Sequence, residues 1–234
     1  MFFPEKLKSI EPHFNVLEIG PGGLPHPRAN IFLEKRFDDE IEKAFQRGYA
    51  PKLETKKPVV FYEGGVFPFE DKQFDYVICS HVLEHVNDIG LFISELSRIS
   101  NMGYLEYPLI YYDYIYNFDV HLTFLKKNGS CINWIPKHET ELSKFRPVQE
   151  FFFETIKKNY HTFINQMKQY FFEGFEWRDD LQTKRVYDIN EVCIPMKTLE
   201  IPDFNDIIAS KKPIVAHSAK QKLKNKLKSI IDKI

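Results

Sequence analysis

Cysteine is scarce in this chain of 234 residues, which contains three: Cys79, Cys131 and Cys193. They are odd in number, lie far apart and form no Cys-x-x-Cys pair, so the sequence offers neither a disulfide framework nor the spacing of a structural zinc site. Thiols stay reduced in the cytosol. We therefore predict free cysteines in a cytoplasmic protein.

Long hydrophobic runs are also missing. No stretch approaches the ~18 consecutive apolar residues that would cross a bilayer. The first residues, Met-Phe-Phe-Pro-Glu-Lys-Leu-Lys, contain no apolar core of a signal peptide. The length fits a single domain, and a hydrophobic content of 43% is sufficient for a large core. We predict one globular domain without a membrane span or a cleaved leader.

An excess of charge of one sign is absent overall, because the net charge is −1. Residues 211–234 nevertheless contain eight lysines and one acidic residue, a net of +7, which leaves −8 for the rest of the chain. The apolar residues of this tail fall on one helical face: Leu223, Leu227, Ile230, Ile231 and Ile234. We predict a domain over residues 1–210 followed by this basic helix. The helix either lies on an anionic membrane, at its inner face, or packs on its own domain. An acidic body argues against binding to nucleic acid.

Glycine is limited to ten residues, and three of them follow one apolar segment: residues 16–23 read Val-Leu-Glu-Ile-Gly-Pro-Gly-Gly. A short apolar run that ends in glycines is typical of a buried strand entering a tight loop. Without a Cβ, such a loop lets a ligand approach the backbone. The carboxylate of Glu18 would repel a pyrophosphate and suit a cation. This favours S-adenosylmethionine, with its ammonium and sulfonium charges, as the ligand.

The nucleotide alternatives fit less well. A dinucleotide loop reads Gly-x-Gly-x-x-Gly, and the third position here is Pro25, which weakens the helix packing that glycine permits. No Gly-x-x-x-x-Gly-Lys-Ser/Thr sequence occurs, so a P-loop is excluded. An ordinary strand-to-loop turn remains the alternative that carries no function.

Short apolar segments alternate with helical patterns along the first half of the chain. This alternation predicts an α/β fold with a Rossmann-like, doubly wound, mostly parallel sheet. The predicted strands are 16–20, 30–34, 58–62, 74–80 and 103–108, with helices over 38–49 and 86–99. We predict an aromatic insertion over residues 109–140 that covers the carboxyl edge of the sheet. A helix over 150–175 and last strands within 175–187 and 191–196 then complete the domain.

Acidic residues end successive predicted strands, and ligands of doubly wound sheets bind at that edge. A carboxylate at Glu34 would accept hydrogen bonds from two ribose hydroxyls. Glu63 would accept a hydrogen bond from an exocyclic adenine amine. Each of them alone also reads as a solvated carboxylate at the end of a strand.

Two separated motifs carry a family resemblance: residues 16–23 and residues 67–86, Phe-Pro-Phe-Glu-Asp-Lys-Gln-Phe-Asp-Tyr-Val-Ile-Cys-Ser-His-Val-Leu-Glu-His-Val. Over roughly residues 14–108 the chain resembles class I S-adenosylmethionine-dependent methyltransferases, most closely the type 11 group. The resemblance implies that the cofactor lies across the carboxyl edge of the sheet. Its methionine part would contact Glu18, Gly20, Pro21, Gly22 and Gly23, its ribose Glu34 and its adenine Glu63. Ser80 and His81 would border the transferred methyl group.

The sequence departs from this pattern in one respect. Only 14 residues separate Gly20 from Glu34, fewer than the ~20 typical of dinucleotide sites. Pro25 and Pro27 also leave little room for a first helix. The loop would then hold the cofactor less fully.

Three histidines are candidates for the base that takes a proton from an acceptor hydroxyl: His81, His85 and His121. His81-x-x-Glu84-His85 also matches a zinc-protease pattern, which we reject because the motif follows a buried strand. We predict no bound metal. The alternatives are a divalent ion that binds an acceptor diol here, as in some relatives, or a hydrogen-bonded Glu84–His85 pair that ends a helix.

The sequence therefore predicts methyl transfer to an oxygen of a small acceptor: a glycan, a nucleotide sugar or a lipid-linked precursor. Two other classes stay open. One is a binding or scaffold protein that kept the fold without turnover, which the shortened loop would favour. The other is a nicotinamide-dependent oxidoreductase, which Pro25 disfavours.

Overall fold

The computed structural model describes residues 1–37, 53–157, 164–165 and 167–195. The predicted helix over 38–49 and the basic tail over 211–234 lie outside the described residues. Of the helices within these ranges, none is both long enough and apolar enough to cross a membrane.

A six-stranded sheet forms the centre of the described structure, in the order β3-β2-β1-β4-β5-β8. Neighbouring strands are parallel except for the antiparallel pair β5 and β8. The order of the strands reverses between β1 and β4. This is the switch point, the place at which doubly wound sheets bind ligands. The strands are β1 Val16–Ile19, β2 Ile31–Lys35, β3 Val59–Tyr62, β4 Tyr76–Ser80, β5 Met102–Pro108 and β8 Phe172–Arg178. The predicted α/β fold with a mostly parallel sheet is confirmed.

One face of the sheet packs against helix α1, Ile89–Ile99. The Asp88 side chain accepts a hydrogen bond from the Leu91 backbone at 2.9 Å and so caps the first turn. The buried apolar residues of α1 recur at helical spacing, which directs one stripe onto the sheet. The other face of β1, β4 and β5 packs against the N-terminal segment, through Leu7, Ile10 and Phe14.

The connection from β1 to β2 is a loop over residues 20–30, without a helix. Pro25 and Pro27 fall in its middle, where a proline disfavours helical geometry in the residue before it and removes a backbone donor. The Asn30 side chain closes the loop by accepting a hydrogen bond from the Val16 backbone at 2.8 Å. This loop brings the ends of β1 and β2 together within a short stretch of chain.

After β5 the chain forms helix α2, Ile110–Tyr116, and then a hairpin of β6, Thr123–Asn128, and β7, Cys131–Pro136. Gly129 lies in the two-residue turn at φ +63°, a conformation that glycine adopts without strain. Strand β9, Gln182–Arg185, pairs with β7 in a second sheet. Helices α3, Arg146–Lys157, and α4, Lys168–Phe171, follow the hairpin.

Two predictions for the C-terminal half are wrong. The predicted helix over 150–175 runs into β8, which begins at Phe172 and pairs along its whole length with β5; pairing with a buried strand outweighs the helical pattern of the aromatic residues. Residues 191–195, the described part of the predicted strand 191–196, do not form a strand, because Ile189–Val192 is a short 3-10 helix. The Asp188 side chain accepts a hydrogen bond from the Asn190 backbone at 2.9 Å and so starts that turn.

Candidate active site

The glycine loop after β1 has the backbone that its sequence predicts. Gly20 and Gly22 have φ values of +60° and +57°, which side chains rarely adopt. A Cβ on Gly20 would lie 2.6 Å from Cγ2 of Val82, whereas a Cβ on Gly22 would meet no atom within 4 Å. Gly20 therefore allows the chain after β4 to pack close, and Gly22 faces open space in the described structure.

Two carboxylates lie beside this loop at the ends of β1 and β2. Glu18 and Glu34 are each 5% exposed. The Glu18 carboxylate accepts a hydrogen bond from the His26 backbone at 2.7 Å. Burial raises the pKa of Glu18 to about 7, and the charge of Glu34 adds to this effect, so the two carboxylates are close enough to repel each other. A buried acidic pair next to an open glycine loop fits a ligand with positive charge and hydroxyl groups, which S-adenosylmethionine has.

Glu63, the residue predicted to contact adenine, has a different environment. Its side chain is 66% exposed and forms an ion pair of 3.1 Å with Arg36. Gly64 and Gly65, which follow it, have positive φ values and open space at the Cβ position. Glu63 thus lies at the exposed end of β3, and its contact with adenine stays a prediction.

His81 lies at the end of β4 with both ring nitrogens facing carboxylates. Nε2 is 3.0 Å from Glu106 and Nδ1 is 3.3 Å from Glu84. Burial by itself would lower the pKa of His81, but hydrogen bonding and charge attraction to Glu106 and Glu84 raise it to about 9. At neutral pH the ring is therefore an imidazolium, which has no lone pair with which to accept a proton.

Glu106, at the end of β5, collects hydrogen bonds from several directions. It accepts them from Ser80 Oγ at 3.0 Å and from the Tyr104 hydroxyl at 2.6 Å. The backbones of Phe2 and Phe3 donate to it at 2.7 and 3.0 Å. Burial would raise its pKa, yet the bond from His81 and the other donors lower it to about 2. This carboxylate fixes Ser80, His81 and the N-terminal segment to the edge of the sheet.

His85 and His121 meet on the other side of Glu84. Their ring centroids are 5.1 Å apart. Nδ1 of His85 is 2.8 Å from the Val120 carbonyl, and Nδ1 of His121 is 2.6 Å from the Asp113 carboxylate. A ring nitrogen next to a carbonyl or a carboxylate donates, so each ring in its neutral form has its lone pair on Nε2. Burial lowers the pKa of His85 despite the charge of Glu84, which favours that neutral form.

A cavity of about 650 Å³ adjoins this cluster. Segment 80–87 connects it to the glycine loop: Val82 packs on Gly20, and Val86 and Asn87 line the cavity. The remaining wall comes mainly from segment 117–122, the hairpin and segment 137–142, and most of its residues are polar or charged. Its residues include His121, Thr123, Trp134, Lys137, Arg146 and Arg185.

Several residues of this site have roles that their positions in the sequence did not predict. Asp113 lies within the predicted aromatic insertion. It orients His121 and is held by Lys137 at 3.0 Å. The sequence placed Glu106 at a strand end without giving it partners. The His-x-x-Glu-His spacing was the signal for Glu84, which the structure places between His81 and His85.

Part of this chain is similar to known proteins. Residues 39–105 match the family model of the type 11 methyltransferases, described as a methyltransferase domain. The match contains Glu63, Ser80, His81 and His85 and begins after the glycine loop and Glu34. No curated protein matches the chain.

Solved structures of S-adenosylmethionine-dependent methyltransferases are also similar in part. One from Thermotoga maritima is 23% identical, with 45% of this chain and 49% of that chain covered and a TM-score of 0.31. One from Mesorhizobium loti is 14% identical, covering 53% and 57%, with a TM-score of 0.32. One from Aquifex aeolicus is 18% identical, covering 41% and 55%, with a TM-score of 0.28. The chain thus spans about half the length of these relatives.

The family match covers the strands β3 and β4, helix α1 and the start of β5, which together form one half of the ligand edge. The unmatched half supplies the acidic glycine loop, whose charge and open backbone fit the same ligand. Residues 39–105 are thus similar to a methyltransferase domain, and S-adenosylmethionine is the cofactor that this similarity implies.

Proposed function

We propose that the protein transfers the methyl group of S-adenosylmethionine to a hydroxyl oxygen of a small acceptor: a glycan, a nucleotide sugar or a lipid-linked precursor. One observation carries the proposal. Segment 80–87 packs on the glycine loop at Val82 and reaches the polar cavity at Val86 and Asn87. A cofactor bound at the loop and an acceptor bound in the cavity would therefore both contact this segment.

The cofactor supplies an electrophilic methyl group, so the residues of the chain act mainly by position. In this proposal the loop 20–23 and Glu18 hold the methionine part, and Glu34 accepts hydrogen bonds from the ribose hydroxyls. Ser80 and His81 border the methyl group. Their hydrogen bonds to Glu106 keep both side chains in place.

Removal of the acceptor proton is assigned to the cluster of His85 and His121. His81 was the histidine best placed by the order of the strands, but its pKa of about 9 makes it a fixed cation at neutral pH. It would instead favour an anionic acceptor oxygen by charge. His121 lines the cavity and His85 packs against its ring, so a hydroxyl proton would leave to Nε2 of one of these two rings.

The chemistry of the cavity wall supports an acceptor rich in hydroxyl or phosphate groups. Arg146 and Arg185 line the wall together with their carboxylate partners Asp119 and Glu139. Lys137 adds a further charged group, and Trp134 supplies a flat apolar surface. Sugars commonly stack on aromatic side chains through their C–H faces, and arginine pairs well with phosphate. This combination suits a nucleotide sugar better than a purely apolar acceptor.

The test is a screen for S-adenosylhomocysteine release with nucleotide sugars, free glycans and lipid-linked sugars as acceptors. We expect turnover with at least one of them. His85→Asn should reduce it by about 10²-fold or more, the usual effect of removing a group that manages a proton. His13→Asn, at an exposed position, should leave it unchanged. Cofactor binding without methylation of any acceptor would contradict the proposal.

One observation favours the second candidate, a scaffold that binds the cofactor without turnover. The β1–β2 loop contains no helix, so the described part of the loop encloses less of a ligand than a full βαβ unit would. Binding of S-adenosylmethionine together with a silent acceptor screen would select this candidate.

A further inference from the structure

Three potential metal ligands converge in the centre of the candidate site. Glu84, His85 and His121 each offer one ligand atom, and these atoms all lie within 4.8 Å of one another. Glu84 and His85 belong to the short helix Leu83–His85 directly after β4. His121 comes from the segment between α2 and β6. The Leu122 backbone donates to the Glu84 carbonyl at 2.7 Å, which fixes the two segments against each other.

The state of the Glu84 carboxylate is the feature that needs an explanation. The residue is 0% exposed, and neither of its oxygens has a hydrogen-bond partner of good geometry. The nearest positive groups are His81 Nδ1 at 3.3 Å and His85 Nε2 at 3.8 Å, both on Oε1. A buried carboxylate with one oxygen in an ion pair and the other without a partner is costly. A cation between Glu84 and the two histidines would satisfy it.

Both histidines are already oriented as metal ligands usually are. Ligating imidazoles donate through their second nitrogen to a carboxylate or a backbone carbonyl, which fixes the ring and its tautomer. His85 has the Val120 carbonyl in that place at 2.8 Å, and His121 has Asp113 at 2.6 Å. Lys137 holds Asp113 from its other oxygen at 3.0 Å. Each ring then directs Nε2 as its free ligand atom.

The ligand set selects the class of ion. Two imidazoles and one carboxylate suit zinc, iron, manganese or cobalt, whereas magnesium and calcium prefer oxygen ligands alone. Ligands about 2.1 Å from a tetrahedral zinc ion are about 3.4 Å apart, so atoms that lie within 4.8 Å of one another need to approach by up to about 1.4 Å.

We propose that Glu84, His85 and His121 bind one divalent transition-metal ion, with zinc the best match, and leave a coordination position toward the cavity that His121 lines. This replaces the prediction from sequence that no metal is bound. The alternative in which a hydrogen bond joins Glu84 and His85 does not fit, because Glu84 Oε1 and His85 Nε2 are 3.8 Å apart.

The metal site also specifies the proposed function, on which this step rests. An acceptor hydroxyl that coordinates the ion would lose its proton more easily, because a bound cation stabilises the alkoxide. With Nε2 of His85 and His121 on the ion, the proton would pass to solvent through the cavity instead of to these histidines. The acceptor oxygen would then form its bond to the methyl carbon as the S–C bond of the sulfonium breaks, and S-adenosylhomocysteine would leave. The acceptor would present an oxygen able to coordinate a metal, as the adjacent hydroxyls of a sugar do.

The experiment is a titration of the full-length protein, cleared of metal with a chelator, with Co²⁺ and separately with Zn²⁺. Cobalt is followed by its visible d–d absorption and zinc by calorimetry. We expect one equivalent to bind, with cobalt absorption that zinc abolishes. Glu84→Gln and His121→Asn should each weaken binding by more than 100-fold, and Asp113→Asn by about 10- to 100-fold through loss of orientation.

His138→Asn is the matched control, because His138 is an exposed histidine on the same cavity wall outside the cluster. It should bind the metal like the wild type. Far-UV circular dichroism identifies any variant that fails to fold, and in that case His85→Asn takes its place. Absence of stoichiometric binding to the wild type, or equal affinity in the folded Glu84→Gln and His121→Asn variants, would overturn the proposal. Titration of S-adenosylmethionine into the metal-free protein tests the proposed function separately.

Discussion

Glu18 is a residue whose protonation should respond to the cofactor. Its pKa of about 7 means that roughly half of the molecules carry a neutral carboxyl group at neutral pH. A cation beside a carboxylate favours the ionised form and lowers its pKa. Occupation of the glycine loop by a positively charged ligand should therefore expel a proton from Glu18.

The corresponding prediction concerns calorimetry at pH 7. Binding of S-adenosylmethionine should release a fraction of a proton per molecule, seen as a binding enthalpy that varies with the ionisation enthalpy of the buffer. Glu18→Gln should bind more weakly and release none. Equal proton release by the wild type and the variant would show that the cation does not lie next to Glu18.

His81 makes the stability of the fold depend on pH in a definite direction. Its folded pKa of about 9 lies above the ordinary value of about 6.5, so the folded protein holds the proton more tightly than the unfolded chain. The stabilisation is complete below the unfolded pKa and is lost as the pH rises through 9.

Urea unfolding at pH 6 and pH 9.5 tests this direction. His81→Asn is the suitable variant, because asparagine tolerates the φ of +58° at this position. At pH 6 it should lower the free energy of unfolding by about 1–3 kcal/mol, the cost of losing a buried hydrogen bond to a charged group. The difference from the wild type should shrink at pH 9.5, and His13→Asn should show none. A difference that is the same at both pH values would contradict the assigned ion pairs.

At the scale of the element, Gly103 in β5 marks a point of tight packing in the sheet. A Cβ there would lie 2.4 Å from the Val77 carbonyl oxygen and 2.9 Å from the Trp177 ring. The backbone of β4 cannot move away without breaking the pairing of β4 with β5.

Gly103→Ala should therefore destabilise the protein by about 1–3 kcal/mol, the usual cost of overpacking. Gly90→Ala is the control, because Gly90 is exposed on α1 and a Cβ would only touch Asp88 at 3.5 Å. That variant should be neutral or more stable by up to about 1 kcal/mol. Thermal unfolding compares the pair, and equal melting temperatures would contradict this description of the strand packing.

Some secondary-structure elements could be predicted from the sequence, and others could not. Strands β1, β2, β4 and β5 and α1 have apolar runs or helical spacing that match their final burial, so the local pattern and the tertiary structure agree. In β3 the apolar run predicts the strand correctly, but Phe61 is exposed. Strand β8 has an aromatic composition compatible with either structure, and its pairing with β5 decides it. The 3-10 helix at Ile189–Val192 starts at a hydrogen bond that the Asp188 side chain accepts from the Asn190 backbone. The spacing of apolar residues does not reveal such a bond.

Some features of the candidate site could likewise be predicted from the sequence, and others could not. The glycine loop and the acids at the strand ends follow from sequence because parallel strands bring their carboxyl ends to one edge. The meeting of His85 with His121 does not follow, because it depends on the fold of the segment after β5 and on the bond from Leu122 to the Glu84 carbonyl. The charge state of His81 also required the three-dimensional positions of Glu84 and Glu106.

For the whole molecule, the segregation of charge in the sequence gives a separate prediction. The tail over residues 211–234 carries a net charge of +7 on an amphipathic pattern, against −8 elsewhere. Deletion of residues 220–234 should leave a folded protein that binds anionic vesicles more weakly, because each lysine near such a surface contributes about 1 kcal/mol. Sedimentation with anionic and with neutral vesicles measures this effect. Unchanged sedimentation with the anionic vesicles would assign the tail a structural role.

The central claim is that the glycine loop and the acids at the ends of β1 and β2 hold S-adenosylmethionine. Isothermal titration of S-adenosylmethionine and S-adenosylhomocysteine into the purified protein tests it most directly, with Glu34→Ala as the variant that removes the ribose contact. We predict micromolar binding of both ligands to the wild type and a clear loss of affinity in Glu34→Ala. Absence of binding to the wild type would show that the glycine loop is only a turn. It would contradict the assignment of the cofactor.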